Sequence, residues 1–288
     1  GRIAIERDID EDTMIYASYT KGFKPGGSNL TFGYPEDDEG FGAQPAPQLI
    51  FPLFESEIID AYEFGIKTDL LEGRMRANIS AFSYDYENLQ FQSTDPDIYR
   101  GGVANIPESE MSGLELELIG VLSDSLTMDL RVAFLDTEIT ADYEALDNIK
   151  AERYFFGEEP LRYALRENIK GNQLAKSPEF TANLGLQYVT ELESGRTLRS
   201  TAELIHRGDF QQRVFNSPFV DKVDEYTVLN FTASLDLNDD NWGLDLMLLN
   251  ATDEDGMNSA MTDVFGVAGT GIELIPPRQV MGRVSYEF

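Results

Sequence analysis

Apolar and polar side chains alternate along the last stretch of the chain, residues 277–288. The apolar face of this stretch holds Val280, Val284, Tyr286 and Phe288, and the polar face holds Gln279, Arg283, Ser285 and Glu287. A period of two residues is typical of a strand with one apolar and one hydrated side. A terminal aromatic residue suits the interface of a lipid-facing barrel better than a fraying end of a soluble domain. We therefore expect a membrane-barrel strand here, with the last strand of a soluble sandwich as the alternative.

The same alternation recurs along the chain and predicts an all-β fold of about eleven strands, the first of them partial. The predicted strands cover 1–7, 14–23, 57–70, 74–92, 114–118, 126–134, 180–188, 198–204, 229–237, 242–248 and 277–288. The pattern changes phase within 74–92, where Ile79 and Ala81 precede Phe82, Tyr84 and Tyr86. We expect either a β-bulge in this strand or an inner face that contacts protein.

The connections between the predicted strands alternate between tight turns and long loops. The tight turns cover 71–73, 123–125, 193–195 and 238–241. The long loops cover about 24–56, 93–108, 138–177 and 252–276, and a shorter loop covers roughly 213–222. In an antiparallel sheet this alternation places every tight turn at one end and every long loop at the other. Outer-membrane barrels have short periplasmic turns and longer extracellular loops, whereas a soluble sandwich has no reason for that separation. The pattern therefore predicts an antiparallel transmembrane β-barrel.

The charge balance narrows the possible partners of the chain. The 288 residues include 52 acidic and 22 basic side chains, giving a formal charge of -30, which argues against nucleic acid as a partner. An aromatic content of 11% and the regular alternation argue against disorder. The mean hydropathy of -0.30 and the lack of a run of about 18 apolar residues exclude a helical membrane protein. Without cysteine, the chain has no disulfide and no thiolate metal site.

In a barrel, the two faces of the strands have different neighbours. The aromatic residues at the tight-turn ends are expected to form an interfacial girdle; they are Tyr188, Trp242, Tyr286 and Phe288. The polar positions are expected to line the lumen; they are Glu63, Lys67, Asp85, Glu115, Glu117, Asp129, Arg131, Asn183 and Gln187.

Six stretches, taken together, carry a resemblance to a known family. They are YASYTKGFKPGG at 16–27, YEFGIKTDL at 62–70, EMSGLELE at 110–117, LAKSPEF at 174–180, LLNATD at 248–253 and the stretch 277–288. In this order and spacing they resemble the C-terminal part of the TonB-dependent receptors, which are outer-membrane transporters of Gram-negative bacteria. The resemblance extends over nearly the whole chain.

The resemblance implies a barrel of about 22 strands filled by an N-terminal plug domain, preceded by a short TonB-contacting box. Neither the plug nor the box is recognisable in this sequence. An isolated half-barrel would leave two unpaired edges in lipid. We therefore expect residues 1–288 to be the C-terminal half of the barrel of a longer receptor.

The resemblance also implies a function and its partners. It implies active import of a scarce nutrient, most often a ferric siderophore or a similar metal chelate, energised by TonB and its inner-membrane complex. Such import needs no covalent chemistry, so we expect neither enzymatic activity nor a cofactor. Further implied partners are the lipid bilayer, lipopolysaccharide and the barrel assembly machinery, since Val284, Tyr286 and Phe288 resemble its C-terminal recognition signal. A passive porin or structural barrel without energy coupling is the alternative.

The loop after Phe134 is the best candidate for substrate contact, because it gathers basic and aromatic residues in an acidic chain. The candidates are Lys150, Arg153, Tyr154, Phe156, Arg162 and Arg166, with Lys170 nearby. Guanidinium groups bind carboxylate or catecholate oxygens, and aromatic rings stack on planar groups. The alternative is a folded loop helix whose buried face is formed by Leu161, Ala164, Leu165 and Ile169.

Metal-binding and catalytic patterns are weak. The acidic turn at 8–12 has part of the spacing of a calcium loop, but Thr13 stands where glycine is needed. His206 is the only histidine, so we expect it to pack or to form a hydrogen bond, and we predict no metal site.

Overall fold

Eleven antiparallel strands form one continuous sheet in this computed structural model. The structure describes residues 1–29, 31–33, 48–50, 53–95, 100–147, 166–237, 242–262 and 270–286. In chain order the strands are β1 (Arg2–Asp8), β2 (Thr13–Lys24), β3 (Glu57–Leu70), β4 (Met75–Asp95), β5 (Arg100–Ser123), β6 (Leu126–Ile139), β7 (Phe180–Glu191), β8 (Thr197–Arg207), β9 (Tyr226–Leu237), β10 (Trp242–Leu249) and β11 (Gln279–Tyr286). Each strand pairs with the next one in the chain, which confirms the predicted all-β, antiparallel fold.

Five small two-stranded sheets lie in the connections between these strands. The pairs are Gly27–Ser28 with Leu53–Phe54, Thr31–Gly33 with Gln48–Ile50, Glu144–Leu146 with Arg166–Asn168, Phe210–Gln211 with Lys222–Val223, and Met257–Thr262 with Thr270–Leu274. Across the ranges described, no helix is long and apolar enough to cross a membrane.

The long connections all lie at one end of the sheet, as predicted, but that end also carries the four-residue connection 96–99 between β4 and β5. Residues 9–12, 71–74, 124–125 and 192–196 make the short turns at one end, and 238–241 lies outside the described residues. Gly73 has a φ of 80°, a conformation that favours glycine. Asp10 closes the acidic turn, because its Oδ1 accepts a hydrogen bond from the backbone N–H of Asp12 at 3.0 Å. We call the opposite end, which carries the long connections, the loop end.

The predicted loop at 93–108 is wrong, because most of it belongs to β5. The pairing of β4 with β5 continues to Asp95 opposite Arg100. It is interrupted only where Asn88 and Pro107 fall between the pairs Glu87–Glu108 and Leu89–Ile106. Proline has no N–H to donate to a ladder, and Asn88 has a φ of 57°. Gly101, Gly102 and Pro107 are thus accommodated within a long hairpin.

The strand pairing assigns every residue to one of two faces. Lys67, Asn78, Glu117, Arg131 and Asn183 form one cross-strand row on what we call the inner face. The neighbouring row on the outer face consists of Ile66, Ile79, Leu116, Val132 and Ala182. The alternation read from the sequence therefore separates a polar inner face from an apolar outer face.

Asp85 does not lie on the inner face, contrary to the prediction. It pairs with Asp60 and Glu110, which belong to the outer face near the loop end. The pairing of β3 with β4 runs without a shift from Leu70–Met75 to Ile58–Glu87, so the phase change in β4 is not a bulge. Phe82, Tyr84 and Tyr86 lie on the inner face, where the Phe82 ring covers Gly113 of the neighbouring strand.

The main buried cluster lies at the loop end of the sheet. It consists of Ile106, Ile139, Ala145, Ile169, Leu174 and Val214. These residues come from β5, β6 and the two connections that follow β6 and β8. Full burial of one such aliphatic side chain stabilises a fold by about 1.5–3 kcal/mol. We call this packed assembly the loop cap.

Candidate functional site

Most of the predicted substrate-contact segment lies outside the described residues. This applies to Lys150, Arg153, Tyr154, Phe156 and Arg162. Arg166 is described and exposed, and it stands opposite Leu146 in a short two-stranded sheet. Substrate contact by this segment stays a prediction.

The alternative of a loop helix that extends to Ile169 is wrong in its described part. Residues Arg166–Asn168 form a strand, and Ile169 is fully buried in the loop cap. Lys170 forms an ion pair with Asp142, with 3.1 Å between Nζ and Oδ2. Hydrogen bonds from Asn168 and Lys170 lower the pKa of the Asp142 carboxyl. Lys170 is thus engaged within its own loop.

The inner face carries a concave pocket of about 610 Å³. Its polar lining residues on the inner face are Tyr16, Lys67, Asn78, Ser80, Glu115, Glu117, Arg131, Thr181, Asn183, Arg207 and Tyr226. They come from strands β2 to β9, so the sheet itself positions them. Each lies on the inner face because the alternation of its strand directs it there.

The ratio of basic to acidic side chains in the pocket lining differs from that of the whole chain. Three basic side chains, Lys67, Arg131 and Arg207, face two acidic ones, Glu115 and Glu117. Over the whole chain, acidic residues outnumber basic ones by 52 to 22. Basic and acidic side chains are therefore nearly balanced in the pocket, in contrast to the acidic excess of the whole chain.

A network of hydrogen bonds orders the floor of the pocket. Asn78 donates from Nδ2 to Glu117 Oε2 at 2.8 Å. Arg131 donates from Nε to Glu117 Oε1 at 3.2 Å and from Nη2 to Asp129 Oδ2 at 2.9 Å. Paired donors of this kind fix the position of the guanidinium group.

Tyr16 forms one wall of the pocket by lying across a glycine. A Cβ on Gly65 would stand 2.3 Å from the Tyr16 ring, so this strand position accepts no side chain. The Tyr16 hydroxyl donates a short hydrogen bond to Glu63. The ammonium group of Lys67 lies 5.6 Å from the centre of the same ring.

Arg207 forms the rim of the pocket at the loop end. Its guanidinium carbon lies 4.0 Å from the centre of the Phe210 ring and 5.9 Å from that of Tyr226. Its Nη1 donates to the carbonyl oxygen of Asn258 at 3.1 Å. A guanidinium held between two aromatic rings can bind an anionic, planar group in a defined orientation.

His206 belongs to the opposite face, where it packs as predicted. Its ring lies 5.3 Å from the Phe180 ring, and its Nδ1 shares a hydrogen bond of 2.9 Å with Thr227 Oγ1. Among the described residues, no group of three or more His, Asp or Glu side chains could hold a metal ion.

The predicted girdle residues that are described lie on the outer face at the tight-turn end. Trp242 pairs with Tyr286 across β10 and β11, and their ring centres are 4.9 Å apart. Tyr188 stands opposite Leu126 and Ser200. Val284 is exposed on the same face, and Phe288 lies outside the described residues. Their roles at the membrane interface and in assembly stay predictions.

The sequence matches the family described as TonB dependent receptor-like, beta-barrel, over residues 5–251. The chain belongs to this family. As in other TonB-dependent receptors, its sheet is part of an outer-membrane β-barrel of Gram-negative bacteria. The family consists of receptors and transporters and not of enzymes.

Individual receptors of known name resemble the chain over part of their length. The probable TonB-dependent siderophore receptor PiuA of Acinetobacter baumannii is 27% identical over 62% of this chain and 21% of its own length. The metal-pseudopaline receptor CntO of Pseudomonas aeruginosa is 27% identical over 49% of this chain and 17% of its own. The ferric yersiniabactin uptake receptor FyuA of Yersinia pestis has the same fold, with a TM-score of 0.72 and 15% identity over 98% of this chain. The chain spans 36% of that receptor.

Sequence reasoning missed the rim formed by Arg207, Phe210 and Tyr226. The sequence did contain a local signal. β8 ends on the basic residue Arg207 and β9 begins on the aromatic residue Tyr226, both at inner-face positions. Because β8 and β9 are adjacent, these two ends meet, with Arg207 directly opposite Tyr226.

Proposed function

We propose that the chain is the C-terminal part of the barrel of a receptor that imports a ferric siderophore or a similar metal chelate, energised through TonB. The observation that carries the proposal is the family match over residues 5–251. It is supported by the names of the relatives PiuA and CntO, which are receptors for a siderophore and for metal-pseudopaline. The plug, the TonB box and the remaining strands belong to the part of the receptor outside residues 1–288.

The pocket on the inner wall supports an anionic chelate as the substrate. Lys67 and Arg207 offer positive charge, and Tyr226 offers a ring face, in an otherwise acidic chain. Carboxylate and catecholate oxygens are the groups that such donors recognise. The segment with Lys150, Arg153, Tyr154, Phe156, Arg162 and Arg166 would supply further contacts from the loop end.

The import reaction requires no bond to be made or broken in the chelate. We therefore propose that the receptor has no enzymatic activity and that its partners are TonB with its inner-membrane complex, lipopolysaccharide and the barrel assembly machinery. The receptor would bind the chelate at the loop end, and energy from the inner membrane would release it toward the periplasm.

Uptake of radioactive iron tests this proposal. The native strain and a strain lacking the gene are supplied with ferric complexes of a catecholate, a hydroxamate and a carboxylate siderophore. We expect at least one complex to enter by a saturable route that is lost with the gene and stopped by a protonophore, while binding at the cell surface persists. Saturable binding without accumulation, or entry that a protonophore does not affect, would support a passive or structural barrel instead.

A further inference from the structure

A groove interrupts the outer face between β7 and β10, and its floor is made of small side chains. Ser200 of β8 stands directly opposite Ala233 of β9, and Ala202 stands opposite Phe231 in the next outer-face row. Large residues on both sides form the walls of a depression of about 460 Å³. The wall residues are Leu126, Leu186, Tyr188, Phe231, Leu246 and Leu248.

The chemistry of this groove fits a hydrocarbon. Among the described residues, no charged side chain lines it, and its lining is almost entirely carbon. Thr201 and Thr232 also border it, but the strand alternation directs their side chains to the inner face. The backbone polar groups of the floor are engaged in the pairing of β8 with β9. A ligand therefore finds surface to pack against and few partners for hydrogen bonds.

The position of the groove along the barrel determines which hydrocarbon it contacts. The row of Tyr188, Ser200, Ala233 and Leu246 lies two outer-face rows from the Trp242–Tyr286 pair, at the tight-turn end of the sheet. In an outer-membrane barrel this end faces the periplasm, and the outer face contacts lipid. Phospholipid acyl chains of the periplasmic leaflet are the hydrocarbon at that depth.

We propose that this groove is a binding site for one acyl chain of a phospholipid in the periplasmic leaflet. The floor of Ser200, Ala202 and Ala233 lets the chain approach the backbone, and the wall residues contact it from both sides. A second protein is a poorer fit, because stable protein interfaces bury about 1,200–2,000 Å² and this site is a local slot. The inference rests on the location in the outer membrane and not on the import of a chelate.

The test fills the groove with larger side chains and measures how many lipid molecules stay bound to the receptor. The native receptor and the double variant Ala202→Leu, Ala233→Leu are purified in mild detergent, supplied with phosphatidylethanolamine and examined by native mass spectrometry. We expect a one-lipid complex that survives stripping of loosely held lipid in the native receptor. In the double variant, its fraction should fall at least fivefold.

Ala81→Leu is the matched control, since Ala81 lies on the outer face beside Phe64 and Leu114, away from the groove. This variant should keep the one-lipid complex. A gel-mobility shift on heating reports that each variant is folded. The proposal is overturned by an equal lipid-bound fraction in the native receptor and the double variant. It is equally overturned if both leucine variants lose lipid alike, or if filling the groove separates receptor dimers without changing bound lipid.

Discussion

Arg213 joins two connections of the loop cap, because its Nη1 donates a hydrogen bond of 2.7 Å to Asp147 Oδ1. Arg213 follows β8, whereas Asp147 follows β6. The same guanidinium binds Asp221 through Nε and through Nη2, the latter at 3.1 Å. Both carboxylates are buried, at 1% and 0% exposure. Burial raises the pKa of the Asp221 carboxyl, although hydrogen bonds from Arg213 and the Ser217 N–H oppose that rise.

Arg213→Met is expected to loosen the loop cap. Removing the cation leaves two buried carboxylates without their shared partner, and breaking a buried ion pair in this way costs about 3–5 kcal/mol. Hydrogen exchange should become faster in both 140–147 and 209–223, and remain unchanged in β2 and β3. Arg196→Met, at an exposed tight turn, is the control. Faster exchange in only one of the two connections would show that Arg213 does not couple them.

Arg207→Met is expected to weaken binding of the ferric chelate that the uptake assay identifies. A hydrogen bond to a charged group contributes about 1.5–3 kcal/mol, which corresponds to roughly 10-fold to 100-fold in affinity. Arg199→Met is a matched control, because Arg199 lies on the inner face of the same strand but near the tight-turn end. The measurement is equilibrium binding of the labelled chelate to whole cells. Equal affinities for the two variants would remove Arg207 from the site.

Gly65→Ala is expected to disturb the sheet, whereas Gly185→Ala is expected to be tolerated. The new Cβ at Gly65 would stand 2.3 Å from the Tyr16 ring, while a Cβ at Gly185 would meet nothing closer than 3.8 Å. Overpacking of this kind costs about 1–3 kcal/mol. The midpoint of urea unfolding, followed by the gel-mobility shift, should fall only for Gly65→Ala. Adding Tyr16→Ala should restore it, and a failure of this rescue would point to another cause.

Removal of Phe288 is expected to reduce the amount of folded receptor in the outer membrane. The terminal strand presents Val284 and Tyr286 on the outer face, and it resembles the signal read by the barrel assembly machinery. Refolding into detergent micelles should be unaffected, because that reaction bypasses the machinery. An equal loss in both settings would indicate a purely structural role. Ser285→Ala, on the inner face of the same strand, is the control.

Much of the sheet could be predicted because it is a single layer with an apolar environment on its outer face and a polar environment on its inner face. Each residue of β7, from Phe180 to Tyr188, meets either the apolar or the polar side, so the alternation records its position directly. The loop at 93–108 was mispredicted because Pro107 is a loop signal in isolation. A proline is tolerated at this position because the strand pairing is also interrupted at Asn88, on the opposite strand of the hairpin.

The contacts of the loop cap could not be predicted from local sequence. Arg213 and Asp147 are 66 positions apart, and neither belongs to a periodic segment. Likewise, the alternative interpretation placed Ile169 on the apolar face of a helix, whereas its burial comes from packing against β5 and β6. Such contacts can be identified only in the folded structure, where the strands bring connections that are distant in sequence to the same end of the sheet.

The hairpin of β4 and β5 is much longer than a membrane crossing requires. Its strands have 21 and 24 residues, whereas a crossing takes about 9–11. At roughly 3.4 Å per residue, about half of this hairpin extends beyond the hydrocarbon core of the membrane. The neighbouring connections pack against this part of the hairpin. The loop cap packs against this extension through Ile106 of β5, so it is held on a part of the sheet that lies outside the hydrocarbon core.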